Sequence, residues 1–195
     1  EVGTTVTPTL TPIFDQKDGG APTNYVLTKD TISIYTDAIP LPYDDVTFIL
    51  DETGVEYRAT VDYAIGPTLP SGTIPAGTAV SNTISLKGIR NTFSGIDGNP
   101  VDPRLSTPTP DVANGDEVII EGSGASVMIA YPATLQDISA FLMTSLGISF
   151  DILSEITTQP SISVDGAEGN LAVLYKVYTY DPLVPFTNAT FTITI

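Results

Sequence analysis

The chain contains no cysteine and no histidine. Without cysteine there are no disulfides, no thiolate nucleophile and no Zn–S site, so the fold must hold by packing alone. Without histidine, Ser-His-Asp and Cys-His catalysis and His-ligated metals are excluded as well. Most enzyme classes fall with these two residue types, and the expectation is a protein without a catalytic site, a metal or a cofactor. Cations are scarce too: 7 Lys and Arg stand against 23 Asp and Glu, a net charge of −16. Such a chain disfavours any partner held through phosphates, so nucleic acid and anionic membrane surfaces are not expected. No apolar run reaches the roughly 18 residues of a spanning helix, and no basic-then-apolar leader is present, so membrane insertion is not expected. The sequence starts at Glu1 without Met, as a processed chain or a part of a longer one does.

What is present is apolar and turn-rich. Of 195 residues, 42% are hydrophobic and only 15% charged, with 16 Gly and 16 Pro. The charged share of an average protein is roughly 25%. Thr, Ser, Gly and Pro fill the difference, a composition of strands and turns rather than helices. The length suits one large or two small domains.

The clearest pattern lies in residues 171–195. Phe191, Ile193 and Ile195 alternate with Thr190, Thr192 and Thr194, the two-residue period of a half-buried strand. One strand earlier, Val173, Tyr175 and Val177 fall on one face while Leu174, Lys176, Tyr178 and Tyr180 fall on the other. Both faces are apolar enough to need cover, which predicts a central position or a contact between copies.

The rest of the chain reads mostly as short strands. Prolines 8 and 12 punctuate a β-prone opening, as expected of an edge strand or an arm. Segments 24–28, 31–35 and 46–50 are rich in β-branched and aromatic residues, and three in a row predict an antiparallel sheet. In 54–63, Val55, Tyr57, Ala59, Val61 and Tyr63 share a face opposite Glu56, Arg58, Thr60 and Asp62. That strand resembles a late strand of an immunoglobulin-like sandwich. Between Gly66 and Pro110 the chain is Pro-rich, and residues 97–111 predict a long loop, mobile or laid against a neighbour. Apolar runs at 117–121 and 126–131 suit central strands. Leu135, Ile138 and Leu142, behind a Thr134 N-cap, predict one short helix over 133–142. The expected architecture is mostly β: two β-sandwich-like domains, an immunoglobulin-like one over residues 1–85 and a second over 86–195 that contains the helix.

Acidic pairs are the remaining chemical candidates: Asp15/Asp18, Asp44/Asp45, Asp51/Glu52 and Asp97/Asp102. A glycosidase needs two carboxylates roughly 5 to 9.5 Å apart across a sugar site. A calcium loop needs a D-x-[DN]-x-[DN]-G pattern, which is nowhere matched. Beside Gly and Pro, these residues read as turn formers. Gly122-Ser123-Gly124 fits neither a nucleophile elbow nor a phosphate loop. Asn188-Ala189-Thr190 is a glycosylation sequon by letter only.

Several stretches together resemble the virion structural proteins of tailed bacteriophages. They are the opening Glu1 to Thr7, the Asp18-Gly19-Gly20-Ala21 reversal, the Tyr57 to Tyr63 strand, Gly88 to Gly95, Met128 to Pro132, and Gly169 to Tyr178 before a Thr-rich strand. The similarity covers most of the chain in order and implies a non-enzymatic component of a fibre, neck or tail appendage, located in the virion. Its partners are then other copies of itself, in a trimer or higher symmetric oligomer, and other virion proteins. The expected assembly contacts are Tyr178, Tyr180, Phe191, Ile193 and Ile195, with Pro108 and Pro110 of the Pro-rich segment as the alternative. A carbohydrate- or receptor-binding module, taking a host-surface glycan on exposed Tyr and Asp, is the competing reading.

Overall fold

The computed structural model describes all 195 residues. They form 18 strands in five sheets, with three single 3-10 turns at Pro103–Leu105, Leu153–Glu155 and Ala167–Gly169. The protein is therefore mostly β. Its contacts divide it into two compact units, Thr4–Gly88 on one side and Ile89–Ile195 together with Glu1–Gly3 on the other. The boundary expected from the sequence lay at residue 85.

In the Thr4–Gly88 unit the strands are β1 (Thr5–Val6), β2 (Thr9–Leu10), β3 (Pro22–Lys29), β4 (Ile32–Asp37), β5 (Tyr43–Asp44), β6 (Phe48–Ile49), β7 (Val55–Tyr63), β8 (Gly77–Val80) and β9 (Ile84–Leu86). Antiparallel β4, β3, β7 and β8 make the main sheet, and β9 extends the same side by pairing with the start of β7. The pairs β1–β6 and β2–β5 are separate. On β7 the alternation expected from the sequence sends Tyr57 and Val61 inward, beside Tyr25 and Leu27 of β3.

The second unit contains β10 (Asn91–Ile96), β11 (Thr107–Pro110), β12 (Glu117–Gly124), β13 (Val127–Pro132), β14 (Ala140–Ser145), β15 (Ile148–Asp151), β16 (Thr157–Val164), β17 (Val173–Tyr180) and β18 (Phe186–Thr194). They form a five-stranded sheet, ordered β11-β10-β13-β17-β16, and a four-stranded one, ordered β12-β18-β14-β15. One core joins the two. Val118, Phe141, Phe191 and Ile193 come from the four-stranded sheet; Ile129, Tyr131 and Tyr180 come from the five-stranded one. A smaller cluster of Phe93, Met128, Ala130, Tyr175 and Val177 covers the opposite face of the five-stranded sheet. That is why β13 reads as an unbroken apolar run: all six of its residues are buried.

The 133–142 segment is not a helix. Ala133 and Thr134 form a turn, and β14 begins at Ala140. A ten-residue helix is marginal by itself in water, and here the sheet supplies better partners. Ser139 donates its N–H to Thr194 at 2.8 Å, Gln136 donates its N–H to the Asn114 side chain at 2.8 Å, and Lys176 Nζ reaches the Leu135 carbonyl at 2.7 Å. Burial then follows a two-residue period, with Phe141 inside and Leu142 outside. The 97–111 segment is likewise not a free loop. It folds back on its own sheet, burying Pro103 and setting Gly98 against Met128, and ends as edge strand β11.

Strands β14 and β15 are joined by the two-residue turn Leu146–Gly147, both at positive φ, 52° and 77°. Leucine is costly there, because its Cβ crowds the carbonyl in the left-handed region, and Leu146 is 97% exposed, so it gains no burial in return. Leu146→Asn is expected to raise unfolding stability by about 1 kcal/mol, read from chemical denaturation midpoints at unchanged slope. In the same measurement Phe191→Ala, at a fully buried site, should cost about 3–5 kcal/mol.

Candidate functional site

The most closely knit polar group lies in the Thr4–Gly88 unit. Asp45 is 4% exposed. Its Oδ2 accepts from Lys29 Nζ at 2.7 Å and from the Tyr57 hydroxyl at 2.7 Å, while Oδ1 accepts from the Val46 N–H at 2.8 Å. The Lys29 ammonium also sits 4.1 Å from the centre of the Phe48 ring. Each partner comes from a different element: Lys29 ends β3, Asp45 follows β5, Phe48 opens β6 and Tyr57 lies on β7. Burial opposes the charge on Asp45, but the bonds from Lys29, Tyr57 and Val46 outweigh it and hold the carboxyl below its ordinary value. Burial first, and then the Asp45 charge, push the Tyr57 phenol up. Both Asp45 oxygens accept hydrogen bonds, and Lys29 and Tyr57 each donate to Oδ2. The cluster ties β3, β6 and β7 to the segment after β5.

The other acidic pairs also stabilise turns. Asp97 Oδ1 accepts the N–H groups of Ala125 and Ser126, both at 2.9 Å, closing the β12–β13 reversal, and these bonds lower its pKa. Asp51 accepts from the Gly54 N–H at 2.7 Å, Asp44 from the Thr9 hydroxyl at 2.6 Å, and Asp15 lies 3.9 Å from Lys17 at the surface. The Asp102 carbonyl accepts the Leu105 N–H at the 3-10 turn. No group of three or more Asp and Glu is arranged to hold a metal ion.

Several recesses mark the same unit. A polar one of about 360 Å³ contains Asp30, Glu56 and Arg58. There Asp30 is held by the Glu56 backbone in both directions, accepting its N–H at 2.9 Å and donating to its carbonyl at 2.6 Å, as a turn residue is. Another, of about 260 Å³, is mainly apolar and lined by Leu10, Pro12, Leu27, Ala59 and Ile84, with Thr9, Thr11, Tyr57, Arg58 and Ser81 as its polar residues.

The residues expected to make assembly contacts have two different placements. Tyr178, Tyr180, Phe191, Ile193 and Ile195 are all buried in the core of the second unit. Both faces of β17 are buried within the unit, Tyr178 and Tyr180 in the core between the two sheets and Tyr175 and Val177 in the smaller cluster on the opposite face, while β17 and β18 each lie between two neighbouring strands. Tyr131 stacks on Tyr178 with centroids 5.8 Å apart. Pro108 and Pro110 are exposed, on the outermost strand of the five-stranded sheet.

Surface apolar side chains instead gather at one end of this unit. The register places the β17–β18 connection, the β14–β15 turn and the start of the 97–106 segment at the same end, since Ile96 and Tyr180 both pair with Val127, and Gly124 with Phe186. Leu183 and Val184 in the first, Leu146 in the second and Val101 in the third are exposed there. Beside them Ile148 and Phe150 on β15 continue the inner face of the sheet past the core. Sequence reasoning missed these residues. The available signal was Pro182-Leu183-Val184-Pro185, an apolar pair in a connection where turns are ordinarily polar.

Removing the Asp45 carboxylate tests the buried cluster. Asp45→Ala should cost about 3–5 kcal/mol because it leaves the Lys29 ammonium without its partner. With a folded pKa below the unfolded value of about 3.9, the stabilisation from Asp45 is fully present above that pH and lost as pH falls through the folded value. Thermal scans between about pH 2 and 6 should therefore show the Asp45→Asn variant converging on the wild type at the acid end. Compared with family models, curated proteins and solved structures, the chain matches none.

Proposed function

We propose that this chain is a non-enzymatic structural component of a bacteriophage virion, of the fibre, neck or tail-appendage kind. In this reading its two units are sandwich-type β domains, the first immunoglobulin-like, and they assemble with further copies of the chain and with other virion proteins into a symmetric oligomer of three copies or more. The observation that carries the reading is the exposed apolar end of the Ile89–Ile195 unit. Leu183 is fully exposed and Val184, Leu146 and Val101 nearly so, on a unit that already buries a full core. Exposed apolar patches of this kind mark sites of protein contact. The likeness of the sequence to phage structural proteins points the same way, and so does the engagement of Asp45, Asp51 and Asp97 in structure rather than in an open cleft.

A second reading, capture of a host-surface glycan, draws on the 260 Å³ recess of the first unit, with Arg58 and Ser81 beside apolar side chains. Binding to a glycan array that is lost in Arg58→Ala would favour it over assembly. For the leading reading, sedimentation velocity at micromolar concentration should give an oligomer. Leu183→Asp with Val184→Asp should weaken that oligomer while changing unfolding stability by no more than about 0.5 kcal/mol, as at other exposed sites. A stable monomer across that range overturns the proposal.

A further inference from the structure

The Ile89–Ile195 unit has four free strand edges, those of β11, β16, β12 and β15. An open edge is a template for another strand, and proteins close edges they do not use. Three of the four are closed, each by a different device. On β11, Asp111 donates its N–H to Arg90 at 3.2 Å, so with Asn91 opposite Pro110 the odd-numbered residues face β10. Pro108 and Pro110 are left facing outward, with no N–H to offer. On β16, Pro160 and a register shift between Gln159 and Ile162 interrupt the strand.

On β12 the device is charge. Ile195 donates its N–H to Asp116 at 3.2 Å, which turns Glu117, Ile119 and Glu121 toward the free side. Antiparallel pairing with a second copy about Ile119 brings Glu117 opposite Glu121 of that copy, and the reverse; pairing about Ile120 avoids this but still seats both glutamates of each copy at the contact. Like charges directly opposite are destabilising.

Strand β15 has neither the proline nor the register shift, and its one charge is Asp151. All four of its residues are exposed. Its ladder with β14 uses Ile148 and Phe150, because the two-residue turn closes on Ser145 and Ile148, and Ile152 donates to Phe141 at 2.9 Å in the same parity. The N–H and C=O groups of Ser149 and Asp151 therefore point outward. Pairing about Phe150 sets Ser149 opposite Asp151 of the other copy, so no carboxylates meet. It also sets the two Phe150 side chains, each 47% exposed, across from one another.

We propose that β15 is the edge through which two copies of this chain pair, antiparallel about a two-fold axis beside Phe150. The contact joins their four-stranded sheets into one, with Ser149 and Asp151 exchanging backbone hydrogen bonds across the axis and Phe150 and Ile148 covering each other. The contact is isologous; combined with a second contact elsewhere, it builds dihedral oligomers larger than a trimer. The inference rests on the reading of the chain as an assembling structural protein.

The absence of cysteine gives a clean test. Directly opposed residues that are not hydrogen-bonded to each other have Cβ atoms about 4.5–5.5 Å apart, within reach of a disulfide after slight closure. Under mild oxidation the full chain carrying Phe150→Cys should form a disulfide-linked dimer, and the chain carrying Ile119→Cys should not. Ser149→Pro removes the outward N–H along with the 2.8 Å hydroxyl bond to Thr144; relative to Ser149→Ala, which loses only the hydroxyl bond, it should raise the dissociation constant seen by sedimentation about tenfold or more. If Phe150→Cys links no better than Ile119→Cys while the wild type still sediments as an oligomer, the edge is wrong and the assembly reading stands. A wild type that is monomeric at about 100 µM, with Phe150→Cys unlinked, overturns both.

Discussion

Strand β18 holds the second unit together. It is flanked by β12 and β14, and its inward side chains Ala189, Phe191 and Ile193 are almost completely excluded from water. Around Phe191 the rings of Phe141, Tyr180 and Phe186 approach at centroid distances of 4.8 to 6.2 Å, at the tilted and edge-on angles that aromatic pairs favour. With neither disulfide nor metal to staple it, the unit depends on this packing. Nearly every pairing β18 makes is with residues 40 or more positions away in sequence. The four-stranded sheet therefore closes only when that distant strand docks, and the ordering cost of β12, β14 and β15 is met together rather than strand by strand.

That arrangement explains how far the sequence alone could be read. Strict alternation in β7 and β18 identified the strands and the face each buries, because the two-residue period leaves no other assignment. At residues 133–142 the helical spacing of Leu135, Ile138 and Leu142 was real but weak evidence, since three apolar positions fit a helix and an irregular entry into a strand equally well. The outcome was decided by Thr194 and Lys176, which accept from Ser139 and hold Leu135 from far along the chain. The prolines of 107–110 were read as loop formers. They also fit an edge strand, where an outward N–H is not needed.

The candidate sites were less legible, for a related reason. The apolar pattern at Tyr178 and Phe191 implies a need for cover, but it does not reveal whether the cover comes from the same chain or another; both are buried within the unit. The reverse problem hid Ile148 and Phe150: their alternation looks like that of a buried strand, and only the extent of the facing sheet leaves them uncovered. The Lys29–Asp45–Tyr57 cluster joins residues 12 and 16 apart through sheet pairing, and one member lies in an Asp44-Asp45 doublet that reads as an ordinary turn.

Charge links the acidic composition to the edges. With a net charge of −16, any two copies repel unless the contacting surfaces are locally neutral. Debye screening over about 8 Å at physiological salt removes most of the distant repulsion, so the residues at the contact itself decide. On β12 those residues are Glu117 and Glu121; on β15 they are Ile148, Ser149, Phe150 and a single Asp151 that meets a serine. The carboxylates have distinct placements: Glu117 and Glu121 line the free side of β12, Asp51 and Asp97 close turns, and Asp45 ties strands.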